Sequence, residues 1–296
     1  MTGATDFASG KRRENENFPV ASRLIQPEFR PPVFAFYRFA RLADDVADHA
    51  NAGADEKLAQ LAGLEAGLRG ETGGDPAGTV LRAILQERGL TDEHALDLLV
   101  AFRRDVTKRR YEDWAGLMEY CRYSAAPVGR FVLAVHGESR ALWPANDALC
   151  TALQVINHLQ DCAKDYRTLD RVYIPLDALA AHGAGVEALG ERRASPALRD
   201  VISELAQRTA ALLERSRDLA DLIANRRLAL EVGVIQKLAE SLAARLTRCD
   251  PLSQRVHHRS FEMMGLALRG GLGVAIRRLR KKLAAIRPAR TALRDD

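Results

Sequence analysis

Hydrophobic residues recur along this chain at three- and four-residue steps, which is the spacing of helices with one buried face. Val33, Phe36 and Ala40 show this pattern directly after Pro31–Pro32, and proline is favoured in the first turn of a helix, where its missing N–H costs little. The chain has no long alternating run of β-branched residues, and residues 172–175 are too few to count as a strand. The pattern therefore predicts an all-α protein.

Polar residues and glycines mark where several of these helices should begin and end. Asp113 is expected to cap a helix that starts at Trp114. Ser195, followed by proline, fits the cap of a long helix over residues 197–225. The glycine-rich segment GETGGDPAG, residues 70–78, predicts a loop between shorter helices.

The first candidate for chemistry is the helical run FYRFARLADDVAD, residues 36–48. Asp44 and Asp48 lie four residues apart, so one helix face presents both carboxylates with Cβ atoms about 6 Å apart. Mg²⁺ prefers such oxygen ligands and completes its shell with water and phosphate oxygens, so a diphosphate could share the site. For one such pair alone, an ordinary solvated acidic face is the simpler interpretation.

A second polar stripe changes that balance. In QVINHLQDCAKD, residues 154–165, the side chains of Gln154, Asn157, Asp161 and Asp165 follow one another at spacings of three, four and four. Apolar neighbours surround them, and buried carboxylates need partners such as cations. Two such stripes that face each other across a helical cavity would hold about two or three Mg²⁺ ions and one diphosphate between them.

The motifs RxxDDxxD and QxxNxxxDxxxD resemble those of the squalene/phytoene synthase family. Within that family, ENFPV (16–20), YRFARLADDVAD (37–48), YCRYSAAPVGR (120–130) and LQDCAKDYRTLDRVYIP (159–175) are similar to the HpnC-type hydroxysqualene synthases of bacterial hopanoid pathways. The similarity extends from about residue 14 to at least residue 180.

The resemblance implies a fold and a reaction. The fold would be the isoprenoid synthase fold, a single all-α bundle around a central cavity. The reaction would be Mg²⁺-dependent loss of diphosphate from presqualene diphosphate, rearrangement of the carbocation and capture by water, without NADPH. The alternatives are a squalene or phytoene synthase that condenses two prenyl diphosphates, and a non-catalytic lipid-surface protein that binds a prenyl synthase. A contact with the enzyme that forms presqualene diphosphate is also conceivable.

The resemblance also assigns roles to particular residues. The expected catalytic residues are Tyr37, Tyr123, Asp44 and Asp161, with Tyr123 preferred to Tyr120 as the tyrosine near the reacting carbons. The expected substrate-binding residues are Phe18, Arg41, Gln154, Asn157, Arg171 and Tyr173. The expected metal ligands are Asp44, Asp48, Asp161 and Asp165. From spacing alone, a core aromatic residue is the safer interpretation of Tyr37, and the resemblance reverses that preference. Arg41 has the alternative role of an ion-pair partner of Asp45.

Two positions of the second motif depart from the usual family pattern. Most members carry Arg-Asp and then Glu-Asp where this chain has Gln160-Asp161 and Lys164-Asp165. The carboxylate pair is kept, while the charge beside it is rearranged. Both changes resemble the HpnC type and favour a specialised second step over the condensation of two farnesyl diphosphates.

Composition sets the remaining limits. With 296 residues, 47% of them hydrophobic, the chain fits one large domain, expected over residues 16–286 between a flexible N-terminus, 1–15, and a basic tail, 287–296. No stretch approaches the roughly 18 apolar residues of a membrane span, and the start of the chain lacks the apolar core of a signal peptide. The four cysteines show no metal-binding spacing and fit a reducing compartment. We therefore expect a cytoplasmic protein, with peripheral contact at the inner face of the cytoplasmic membrane as a further possibility.

Positive charge is concentrated near the end of the chain. The residues concerned are Arg277, Arg278, Arg280, Lys281, Lys282, Arg287 and Arg290. Such an end can rest on anionic lipid or can be an ordinary solvated helix face, and the solvated face is slightly favoured. Nucleic acid is not expected as a partner, because these residues are not interleaved with aromatics and belong to no recognised binding module.

Overall fold

The structure is a computed structural model that describes residues 25–291, with side chains through residue 284. Within this range the chain forms α-helices and contains no β-strand, so the predicted all-α class is confirmed. The helices are α1 (Arg30–Asp48), α2 (Ala54–Arg69), α3 (Pro76–Glu87), α4 (Glu93–Thr107), α5 (Trp114–Ser124), α6 (Ala126–Val135), α7 (Trp143–Leu169), α8 (Leu176–Ala181), α9 (Pro196–Arg215), α10 (Leu219–Leu222), α11 (Arg226–Leu246) and α12 (Ser260–Thr291).

Two hydrophobic cores hold these helices together. The first contains side chains of α1, α2, α3, α4 and α6, and within it the rings of Phe36 and Phe131 stack with centroids 4.0 Å apart. The second surrounds α7 and includes side chains of α5, α9 and α11, among them the fully buried Ile156 and Leu205. Because α7 also packs against α5 and α6, the two cores adjoin along its length.

Local capping explains several helix boundaries. The carboxylate of Asp113 accepts a hydrogen bond from the Gly116 N–H (2.7 Å), and the hydroxyl of Ser195 accepts one from the Leu198 N–H (3.2 Å). Both predicted caps are confirmed. The loop after α2 is shorter than residues 70–78, because Asp75 caps α3 and residues 76–78 are helical.

The prediction of a single helix over residues 197–225 is wrong beyond residue 215. Helix α9 ends at Arg215, and the buried Ser216 hydroxyl donates to the Gln236 side chain of α11 (2.8 Å). Asn225 then caps α11 by accepting hydrogen bonds from two backbone N–H groups. The helix thus ends where Ser216 bonds to a residue 20 positions later, and helical periodicity does not report such a contact.

The last helix packs along α11 at a point without side chains. A Cβ atom added at Gly270 would lie 2.5 Å from the Gly233 carbonyl oxygen, so the two backbones approach as closely as glycine allows. Val274, one turn further, is fully buried. Helix α12 continues past residue 286, where the sequence predicts the start of a basic tail. Between residues 25 and 291, no helix is both long and apolar enough to cross a membrane.

Candidate active site

A cavity of about 560 Å³ opens between the two groups of helices. Its walls come from α1, α4, α5 and α7 and from the segment that follows α7. Both polar stripes predicted from the sequence reach it: Tyr37, Arg41, Asp44 and Asp48 from α1, and Gln154, Asn157, Asp161 and Asp165 from α7. The fold therefore brings two motifs more than a hundred residues apart to one site.

On α1, the arginine of the first motif lies among the carboxylates. The Arg41 guanidinium donates to Asp44 (2.8 Å) and to Asp45 (2.9 Å), and it also lines the cavity. Arg41 is therefore an ion-pair partner of Asp45 and a residue of the cavity wall at the same time. Asp45 itself is buried and lies outside the cavity lining, whereas Asp44 and Asp48 belong to it. The four-residue spacing thus selects the carboxylates that face the cavity.

On α7, two carboxylates face the cavity from one turn to the next. Burial raises the pKa of Asp165 to about 7, and the negative charges of Asp161 and Asp48 act in the same direction. The charge of Asp48 on α1 is therefore felt at Asp165 on α7, so the two stripes are electrostatically coupled across the cavity. Lys164, which also lines the cavity, partly offsets this negative charge.

The carboxylates of the cavity form a donor set that suits Mg²⁺ only together with other ligands. Within the described residues, no group of three His, Cys, Asp or Glu side chains is arranged to hold a metal ion by itself. Mg²⁺ commonly takes only one or two carboxylates and fills its other positions with water and phosphate oxygens. The paired carboxylates of α1 and α7 supply that kind of incomplete shell. Burial, and after it the charges of Asp161 and Asp48, raise the pKa of Asp165, and a bound cation would offset both effects. The residues present fit the ion.

Arg171 joins three parts of the site. Its buried guanidinium donates to the Asp48 carboxylate (2.5 Å), to the Ala47 carbonyl (2.9 Å) and to the Asp105 carbonyl (2.9 Å). It lines the cavity, as a substrate-binding residue should. These bonds also fix the carboxyl end of α1 against the end of α4, so Arg171 positions Asp48.

Asp105 also lines the cavity, although no sequence motif singled it out. The buried carboxylate of Asp105 on α4 accepts hydrogen bonds from the hydroxyls of Tyr120 (2.9 Å) and Tyr173 (2.8 Å). Burial raises the pKa of Asp105 to about 6. A signal was available, because Asp105 continues the buried series of Leu98 and Ala101 and is the charged residue on an apolar face.

The wall continues with a neutral histidine. His158 stacks on Tyr173 with ring centroids 3.6 Å apart, and burial, aided by the charge of Arg171, lowers its pKa to about 3. The Gln154 amide donates to His158 Nε2 (3.1 Å), an assignment that follows from an uncharged ring. Gln154 thus orients a wall residue in addition to lining the cavity.

Two residues of the sequence motifs, Tyr123 and Gln160, do not line the cavity. Tyr123 is not brought to the cavity: Arg104 and Arg122 lie over its ring, at 4.8 and 5.5 Å from the centroid, and Tyr120 takes the place on the wall. Phe18 lies outside the described residues. Gln160 is buried away from the cavity, and its amide donates to the Val256 carbonyl. Of the two departures in the second motif, only Lys164 changes the charge of the cavity lining.

Comparison with known proteins gives concordant matches. The family model described as squalene/phytoene synthase matches residues 11–262. A hydroxysqualene synthase of Zymomonas mobilis is 56% identical over 91% of this chain and 92% of its own length, and that of Rhodopseudomonas palustris is 54% identical over 89% and 90%. The crystal structure of squalene synthase HpnC from Alicyclobacillus acidocaldarius superposes with a TM-score of 0.69 and 33% identity, over 83% of this chain and 92% of that one.

Proposed function

Because this chain belongs to the squalene/phytoene synthase family, we propose that it is a hydroxysqualene synthase that acts on presqualene diphosphate. The observation that carries the proposal is 56% identity to a hydroxysqualene synthase over nine-tenths of the chain. The cavity supports it, because its carboxylates suit a metal-bound diphosphate and its tyrosines suit a hydrocarbon cation. The fold is that of the isoprenoid synthases, as expected from the sequence.

The acidic end of the cavity would receive the diphosphate. Asp44, Asp48, Asp161 and Asp165 would hold Mg²⁺, which when bound neutralises the negative charge that develops on the departing diphosphate. Arg41, already on the cavity wall, could exchange its bond to Asp44 for a bidentate contact with phosphate oxygens. Arg171 would keep Asp48 in place while this exchange occurs.

The aromatic end would receive the carbocation. Heterolysis of the C–O bond leaves its electron pair on the diphosphate and a positive charge on the hydrocarbon. The tyrosine rings and the neutral His158 add no positive charge of their own to the wall. The Asp105 carboxylate, which accepts hydrogen bonds from Tyr120 and Tyr173, favours positive charge near them. A water lone pair then forms the new C–O bond, and the proton of that water is released, so no reductant is consumed.

Labelled water tests the final step. The purified protein would be incubated with presqualene diphosphate and Mg²⁺ in ¹⁸O-labelled water, and the products would be analysed by mass spectrometry. We expect a C30 alcohol that carries the label and forms without reductant. Squalene that appears only with NADPH, or an unlabelled alcohol, would contradict water capture. Product from farnesyl or geranylgeranyl diphosphate alone would instead identify a complete squalene or phytoene synthase.

Two conservative variants separate chemistry from folding. Asp161→Asn and Asp165→Asn each remove a cavity carboxylate and keep the side-chain volume. They should therefore lose diphosphate release and retain the helical circular dichroism of the wild type. Full activity in both variants would remove the second stripe from the metal site.

A further inference from the structure

Helix α12 exposes a continuous apolar surface. Seven large side chains follow one another at steps of three or four residues, each between 48 and 68% exposed: Phe261, Met264, Leu268, Leu272, Ile276, Leu279 and Leu283. Such spacing places them on one side of the helix, over a length of about 33 Å. We call this surface the apolar stripe. A patch of this size on an otherwise polar surface generally marks an interaction site.

The apolar stripe faces away from the body of the protein. Helix α12 packs on α11 through Gly270 and Val274, and Arg278 donates to backbone carbonyls of Ala220 and Ile223. At about 100° per residue, Gly270 and Val274 lie on the side of α12 opposite the apolar stripe, and Arg278 lies on the flank between the two sides. Within residues 25–284, no side chain covers it enough to bury it.

The charge around the apolar stripe has one sign. From Met263 to Thr291 the sequence contains eight arginines and lysines and no aspartate or glutamate. Arg277 is engaged with Asp221 (2.6 Å), and Arg278 with the carbonyls described above. Arg269, Arg280 and Lys282 are exposed, and the helical rotation places the first two along one edge of the stripe and Lys282 along the other.

This combination identifies the chemistry of the partner. A helix with a broad apolar face bordered by basic residues lies in the plane of a membrane surface, where the apolar face enters the acyl region and the cations meet anionic headgroups. A second copy of the chain fits less well, because two such helices would bring like charges together around the contact. We propose that the apolar stripe docks this protein on the surface of an anionic phospholipid bilayer.

The sequence analysis slightly favoured a solvated face for the basic end, and the exposed apolar stripe is the observation that reverses that preference. The proposal does not depend on the reaction, since it rests on α12 alone. It also assigns the apolar contact to residues 261–283, ahead of the basic tail. The docking is reversible by salt, because a large part of the attraction is electrostatic.

Flotation with vesicles tests the docking. The full-length protein would be mixed with vesicles of phosphatidylcholine alone or of equal parts phosphatidylcholine and phosphatidylglycerol. We expect flotation with the anionic vesicles that weakens as salt is added. The triple variant Leu268→Gln, Leu272→Gln, Leu279→Gln should lower the partition coefficient by about tenfold or more. Neutralising Arg269, Arg280 and Lys282 to Gln should lower it by roughly a hundredfold.

The control is Val80→Gln on α3, which removes an equally exposed apolar side chain remote in sequence from α12 and should leave flotation unchanged. All variants should keep wild-type circular dichroism and wild-type activity on detergent-dispersed substrate, so a failed docking proposal is distinguishable from a failed functional one. Absence of wild-type flotation, or equal flotation by the stripe variant, would overturn the proposal. So would a wild-type dimer that the stripe variant converts to a monomer without loss of flotation.

Discussion

Replacing Asp105 by Asn should stabilise the protein at neutral and alkaline pH. The pKa of this carboxyl is raised from 3.8 to about 6, chiefly by burial, so the native state binds its proton more tightly than the unfolded chain does. Stability therefore falls as pH rises through this window. A difference of roughly two pKa units corresponds to about 3 kcal/mol of unfolding free energy, all of it lost above the native pKa.

The amide of Asn carries no charge to bury. Its oxygen can accept from one of the two tyrosine hydroxyls, and its NH₂ group can donate to the other tyrosine oxygen. We therefore expect Asp105→Asn to exceed the wild type by up to about 3 kcal/mol near pH 8 and to lose that advantage towards pH 4. Its turnover should nevertheless fall, because the negative charge that accepts hydrogen bonds from Tyr120 and Tyr173 is removed.

Urea denaturation at a series of pH values measures this effect. Chelator would be present throughout, so that metal binding does not contribute to stability. Asp200→Asn is the matched control, since it removes an exposed surface carboxylate, and the pH dependence of its stability should follow the wild type. Identical pH dependence in Asp105→Asn and the wild type, or a variant less stable than the wild type near pH 8, would refute the reasoning.

Three further predictions concern positions that the structure separates clearly. Asp48→Asn should lower turnover by at least about a hundredfold and Asp45→Asn by less, because Asp48 lines the cavity and Asp45 does not. Steady-state kinetics that show the reverse order would contradict this orientation of α1. Arg171→Met should cost about 3 kcal/mol in urea denaturation, because it leaves buried partners of the guanidinium unsatisfied, and a loss below about 1 kcal/mol would refute that role. Gly270→Ala should destabilise by about 2 kcal/mol, since its Cβ meets backbone atoms of α11, whereas Gly265→Ala, with open space around it, should be neutral or stabilising; equal melting temperatures would argue against the close approach of α11 and α12.

Local rules were sufficient for part of this molecule. Helical periodicity and capping chemistry predicted the all-α class, the Asp113 cap and the Ser195 cap, because each depends on residues within one or two turns. The four-residue spacing likewise predicted that Asp44 and Asp48 share a face. The carboxylates of the two motifs could be predicted from the sequence because their spacing is likewise local.

The rest depends on contacts between distant residues. Tyr120 and Tyr123 are separated by less than one helical turn, yet only Tyr120 lines the cavity, where it donates to Asp105 on another helix. The interruption after Arg215 coincides with the bond from Ser216 to Gln236 on α11. Gln160 looked like part of the cavity by its place in the motif, but its partner is the carbonyl of Val256, 96 residues later. Periodicity contains none of this information.

The position of Arg171 in the chain determines when the site can assemble. Its guanidinium reaches back 123 residues to Asp48 and 66 residues to the Asp105 carbonyl. During synthesis, α1 and its carboxylates emerge long before the residue that fixes them, and contacts of such high sequence separation form late in folding. A nascent chain that ends at Asp165 would contain all four predicted metal ligands and still lack the arginine that holds Asp48. The site is therefore completed only when the segment after α7 has left the ribosome.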